Sequence, residues 1–193
     1  MKEKKLLDVQ TKLGKYLFAL YQYQTSHGLI PIFVLDTVDF HALSKVKKDF
    51  EKEKCIVLSK DDVLNGHDVF PLRFLHMINH SSLILGTDIL KSITIKKADL
   101  LKTVELELRT KMVQLREDYL SGSFDVFVKN ILSFMEVIRE GVEYIDPSLK
   151  SDWKIFSDLY DEKAKKQDPL HVVSHINLYL DDLCAKIDAR HVA

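Results

Sequence analysis

The stretch from Lys97 to Ser121, KADLLKTVELELRTKMVQLREDYLS, constrains the fold of this chain more than any other. At about 100° per residue, Leu101, Val104, Leu108, Met112, Leu115 and Tyr119 fall on one helical stripe, and Leu106, Val113 and Leu120 repeat every seven residues on a second. A helix apolar on two sides belongs at the centre of a bundle or between two layers. Glu105, Arg109 and Arg116 lie between the stripes and are expected to be partly enclosed, so they must be paired, hydrogen-bonded or ligand-facing.

The chain has 193 residues, 46% hydrophobic and 30% charged, enough for one sizeable domain or two small ones with real cores. Its formal net charge of −1 gives no general attraction to nucleic acid or to anionic membranes. The longest apolar run, residues 29–35, is far short of the ~20 residues that a membrane-spanning helix needs. Asp8 cuts the Lys-rich start, so no secretory apolar region forms. Two distant cysteines in apolar settings, Cys55 and Cys184, suit core positions in a reduced cytoplasmic protein.

Residues 4–26 read as one long helix carrying Leu6, Val9, Leu13, Tyr16, Leu17 and Leu20, with Gly28 as its stop. Such a helix could support a homodimer. LIPIFVLD, 29–36, and CIVL, 55–58, read as strands, the first at a sheet edge or a strand start because Pro31 lacks a ladder donor. Asp39 can cap a short helix, and Ser59 with Asp62 imitates a capping box. DVFPLRFLHM, 68–77, reads as a third strand interrupted by Pro71, which Ser82 to Leu85 extend unless they begin a helix, and Gly86 as a hinge.

Everything beyond Gly86 reads as helix. Phe124, Phe127, Val128, Ile131, Met135, Ile138 and Val142 give one seam that ends at Asp146-Pro147. Trp153, Phe156, Tyr160 and Ala164 mark another helix. Asp168-Pro169 starts a last one with Val173, Ile176, Leu180, Leu183 and Ile187 inward. The expected fold is α+β: a small sheet with flanking helices over 1–86, then an antiparallel helical bundle over 87–193.

Glu105 and Arg109 are spaced for an intrahelical ion pair, with Arg116 free to reach a carboxylate on a neighbouring helix. Alternatively, Arg109 and Arg116 line a cleft for an anionic group such as phosphate, which the guanidinium fork fits. Arg73 and His80, in RFLHMINH, resemble the Arg-to-His motif of HEPN-type ribonucleases, in which the pair acts on the RNA phosphodiester. His would serve as acid/base and Arg would stabilise the developing charge. His76 and His80, and His171 and His175, are each four apart, but two imidazoles fall short of the ligands zinc wants, and no metal is expected. There is no Gly-x-Ser-x-Gly elbow, phosphate-cradling Gly-rich loop or Cys-x-x-Cys pair.

DVFPLRFLHM, GTDIL at 86–90 and VELELRTKMVQLREDYL at 104–120 together resemble small polymerase-β-like nucleotidyltransferases. Members carry a strand of the type DVFPLEFLDI, a Gly-x-Asp-x-Leu hinge and a helix leading into a helical C-terminal domain. The resemblance implies a reduced, mixed-sheet nucleotidyltransferase core followed by the bundle. Enzymes of that group hold two metal ions with a Gly-Ser turn, an Asp-x-Asp pair and a later carboxylate. This chain has no Asp-x-Asp, and its Gly122-Ser123 lies between two helices. Arg73 and His76 stand where the family strand has acids, and Asp36 and Asp39 are the nearest remaining carboxylates. A cation there repels Mg²⁺, so the two-metal route is not expected.

The expectation is therefore a catalytically inactive nucleotidyltransferase-like protein with a binding or regulatory role and no cofactor. Arg73, His76, Arg109, Arg116 and Asp36 are its candidate ligand-binding residues, in a cleft between sheet and bundle. The ligand would be a phosphate-bearing small molecule or a partner protein.

Overall fold

The computed structural model describes residues 3–25, 28–51, 53–149 and 168–190, which form two compact units, Met1–Ile95 and Lys96–Ala193. The first is a four-stranded mixed sheet with flanking helices, and the second is helical, so the fold is α+β.

The N-terminal segment departs from the sequence reading. Helix α1 spans only Glu3–Leu13, a single 3₁₀ turn covers Gly14–Tyr16, and Leu17–Thr25 forms strand β1. Gly14 adopts φ of +51°, which a continuing helix of L-residues would not tolerate. In LYQYQ the aromatic residues then alternate with glutamines. Tyr21 and Tyr23 are buried while Gln22 is half-buried and Gln24 exposed, the period of a strand. The long helix invoked for a homodimer is thus replaced by α1 and a strand. Gly28 starts strand β2, Gly28–Leu35, rather than stopping a helix.

Strand β2 pairs antiparallel with β1 and parallel with β3, Ile56–Ser59, while β4, Ser81–Gly86, closes the other side of β1 in the order β3-β2-β1-β4. Pro31 sits opposite Gln22, one residue before the parallel pairing begins at Ile32 and Ile56. Strand β2 is therefore interior, yet its first residues have a neighbour on one side only, which is where proline's missing N–H costs nothing.

Local signals decide the short helices. Asp39 Oδ1 accepts from His41 N at 2.7 Å and Ala42 N at 3.3 Å, starting α2, Phe40–Ser44. Helix α3 is Lys47–Phe50, and Ser59 and Asp62 form a reciprocal capping box that starts α4, Lys60–Asn65. The core below gathers Val9, Leu13, Leu20, Phe33, Leu35, Ala42 and Val46, and Phe33 meets Phe50 edge-on at 5.1 Å. The segment read as a third strand is helix α5, Pro71–His80, packed on β1. Pro71 occupies its first turn, where the missing N–H has no intrahelical partner to lose and the fixed φ suits the helix.

Gly86 is not a hinge. Its φ is +88°, and a Cβ there would stand 2.1 Å from Phe18 O and 2.9 Å from Ala19 Cα, so the residue marks where β4 is pressed onto β1. The following loop is tied down by Tyr21, whose hydroxyl accepts from Leu90 N at 3.2 Å and donates toward Asp88 Oδ1 at 3.2 Å.

In the second unit, α6, Lys97–Ser121, packs on α7, Phe124–Ile145, and on α8, Pro169–Asp188. Gly122 stops α6 in the left-handed region at φ of +75°. Asp168 caps α8, with Pro169 in its first turn. The first stripe of α6 is buried from Leu101 through Leu115, as are Met135, Ile138 and Val142 of α7 and Ile176, Leu180 and Leu183 of α8, the two helices that α6 contacts. Tyr119, at its end, is exposed.

The second stripe is not enclosed. Leu106, Val113 and Leu120 are 65%, 51% and 84% exposed, because among the described residues both neighbouring helices use the first stripe. The third bundle helix expected at Trp153, Phe156, Tyr160 and Ala164 lies outside the described residues, as do the side chains of Phe124, Phe127, Val128 and Ile131. No helix among the described residues is long and apolar enough to cross a membrane.

Candidate functional site

A group of chemically capable side chains gathers where α5 packs on β1. Helix α5 begins at Pro71 and turns its Leu72, Phe74, Leu75, His76 and Met77 side chains inward. His76 is only 6% exposed, the one buried polar residue in the described core. Its Nδ1 lies 2.7 Å from the hydroxyl of Tyr23 on β1, and the two rings meet edge-on at 86°. His80, one helical turn further on, stacks its ring on His76 with centroids 4.2 Å apart and 27° between planes. A buried imidazole needs a partner for its polar nitrogens, and Tyr23 supplies one.

Arg73 is exposed on the same helix and has no ion-pair partner among the described residues. It precedes His80 by seven residues, two turns, so both share one side of α5 about 10 Å apart along the axis. Arg73 thus lies on a helix, not on the strand that the sequence suggested.

Asp36 is not part of this group. It follows β2, its backbone N–H donating to Tyr16 O at 3.0 Å, and Leu35 pairs with Leu17 at the start of β1. Tyr23 lies six residues further along β1, so about 20 Å of strand separates Asp36 from the Tyr23–His76 contact. Asp39 is spent on its cap. The His41 and Ala42 N–H groups and the Tyr16 hydroxyl hold its carboxyl below the ordinary carboxylate value, the His41 N–H contributing most. Asp88 is taken up by Tyr21 and by Lys91 Nζ at 3.0 Å.

Arg109 and Arg116 belong to the second unit and are exposed rather than enclosed. Arg109 Nε meets Glu105 Oε1 at 2.8 Å, and its Nη2 meets Asp188 Oδ2 on α8, also at 2.8 Å. Hydrogen bonding to Glu105 and the charge of Asp188 raise its pKa further. Arg116 donates from Nε to Asn177 Oδ1 at 3.2 Å instead of reaching a carboxylate. It is thus Arg109, not Arg116, that joins α6 to an acid on a neighbouring helix. Solvent screens exposed pairs of this kind, whereas each buried leucine of α6 contributes about 1.5–3 kcal/mol, so packing holds the helices together.

His171 and His175 on α8 are both exposed, with centroids 6.2 Å apart and planes tilted by 49°. Their rings are tilted rather than stacked, and neither is buried. Cys184 is buried 3.7 Å from Met112 Sδ, and burial pushes its thiol up to about 11.

Tyr23 is the site residue that sequence reasoning missed. Its signal was the aromatic-glutamine alternation of residues 21–24. No family model matches this chain, and no curated protein is significantly similar to it.

Proposed function

We propose that this protein is nucleotidyltransferase-like without nucleotidyl transfer, and that it acts by binding a phosphate-bearing ligand through Arg73. The carrying observation is how the charges are committed. Asp39 and Asp88 are consumed by a helix cap and by Tyr21 with Lys91, and Arg109 and Arg116 by partners on their own helix and on α8. Arg73 is the candidate cation with no ion-pair partner among the described residues, and guanidinium suits phosphate oxygens. A pair of divalent ions needs several carboxylates converging on one place. Among the described residues, Asp36 is the one carboxylate near the end of β2 that no cap or ion pair takes up.

Equilibrium binding of labelled ATP, with a parallel transfer assay containing Mg²⁺ and candidate acceptors, tests this. The expected result is binding that Arg73→Glu removes, with no label transferred. Transfer that Asp36→Ala abolishes would overturn it.

One observation favours a second function, a metal-independent ribonuclease. With 71–80 helical, Arg73 and His80 share a face, as the HEPN-like motif requires. RNA cleavage that resists EDTA and is lost in His80→Ala supports this alternative. RNA left intact by the native protein removes it.

A further inference from the structure

We propose that the chain forms a parallel two-fold dimer by pairing the second stripe of α6 with the same stripe of another copy. Leu106, Val113 and Leu120 are each more than half exposed, yet they recur every seven residues along about 21 Å of helix. That interval lets two helices keep one seam in contact by winding gently around each other. The solvated face of an ordinary surface helix has no need of it.

The charges beside the stripe select both the partner and its direction. With the three apolar residues at heptad position d, Lys102, Arg109 and Arg116 fall at g on one flank, Glu107, Gln114 and Ser121 at e on the other, and Thr103, Thr110 and Glu117 at a. Lys102, Glu107 and Glu117 form no ion pair among the described residues. In a parallel, in-register pair each apolar residue faces its own copy, Lys102 comes beside Glu107 of the second copy, and Arg116 beside Glu117 of the second copy. Turned antiparallel, the two-fold lays each flank on itself, and Arg109 would meet Arg116 of the second copy. Opposite charges meet in one orientation and like charges in the other, so the seam complements itself only when parallel.

The polar residues within the seam do not oppose this. The Thr103 hydroxyl donates to Asp99 O at 3.0 Å and the Thr110 hydroxyl to Leu106 O at 2.7 Å, so both can leave water without orphaning a donor. A formal net charge of −1 adds little general repulsion between copies. Three apolar layers make a short seam, so the dimer is a reversible one.

Sedimentation of the full chain over a range of concentrations tests this, with a mass that moves from one chain towards two as concentration rises as the expected result. Val113→Glu sets two carboxylates face to face at the middle of the seam and should abolish the dimer. In dilute solution it should keep the native circular dichroism and melting temperature, because the side chain it replaces lies outside the core. Lys102→Glu should weaken association severalfold, and adding Glu107→Lys should restore it. That rescue needs two copies, since residues five apart are not neighbours on one helix. A chain that stays monomeric at every concentration overturns the proposal, as does a dimer that survives Val113→Glu. A monomer that Val113→Glu destabilises would mean that the stripe is covered from within the chain, and refutes the proposal equally. Association left unchanged or tightened by Lys102→Glu, or not restored by the double exchange, refutes the parallel pairing. Because the readout is mass, these outcomes are independent of the ATP and RNA assays.

Discussion

The buried hydroxyl of Tyr21 accepts the backbone N–H of Leu90 at 3.2 Å, joining the middle of β1 to a loop 69 residues away in sequence. Tyr21→Phe keeps the ring but leaves that N–H without its acceptor. The expected cost is about 1–3 kcal/mol, since an orphaned buried donor carries its full desolvation penalty. Urea denaturation of the two proteins measures it, and equal midpoints would show that the bond contributes nothing.

Gly86 and Gly122 both have positive φ, yet they should differ sharply in tolerance. Gly86→Ala drives a methyl group into Phe18 O and the Ala19 backbone, which cannot swing aside. The strain and the displaced strand should together cost about 2–4 kcal/mol. Gly122→Ala meets nothing within 4 Å and should lose only the conformational term, about 1–2 kcal/mol. Thermal melts of both variants give the comparison, and an equal loss in the two would contradict the close approach of β4 to β1.

Asp146 follows α7, where the Ser148 hydroxyl, the Ser148 N–H and Arg190 lower its pKa from 3.8 to about 2. A carboxyl depressed on folding contributes stability that is fully present above its unfolded value and is lost as pH falls through the folded one. Asp146→Ala should therefore destabilise the protein at pH 7, and the gap between variant and native should close between about pH 4 and pH 2. Denaturant midpoints at pH 7, 4 and 2 check the direction. A gap that widens on acidification would reverse the sign.

The two thiols should be distinguishable. Cys184 is 3% exposed with its pKa raised to about 11, first by burial, so little thiolate forms near pH 8. Cys55 is only half-buried. Ellman's reagent should modify one thiol in the native protein and the second only on unfolding. Cys55→Ser should abolish the native reaction.

What the sequence made legible was mostly local. The caps at Asp39, Ser59 and Asp168 needed only a side-chain oxygen two or three residues from an N–H, and all three formed. Leu17, Leu20 and Tyr21 fit a helical stripe as well as a strand, and the local signals against the helix were Gly14 and the aromatic-glutamine alternation of residues 21–24. Pro71 misled because the same residue can break a strand or open a helix, depending on where the chain around it is heading. The second stripe of α6 was visible, but how many neighbours would cover it is a tertiary quantity. The contact of Tyr23 with His76 spans 53 residues, and no periodicity encodes a pairing of that kind.

Strand β1 is bordered on one side by the strand that immediately follows it and on the other by one that arrives more than fifty residues later. Closing the first border restricts a few residues, and closing the second must wait for an intervening stretch that includes three short helices, β3 and α5. Loop-closure entropy predicts that the hairpin forms early and that β4 joins last, because distant pairings carry the larger penalty. Trimming a β4 side chain such as Leu85 should accordingly hasten unfolding and leave the refolding rate almost untouched, a split that stopped-flow kinetics reads directly.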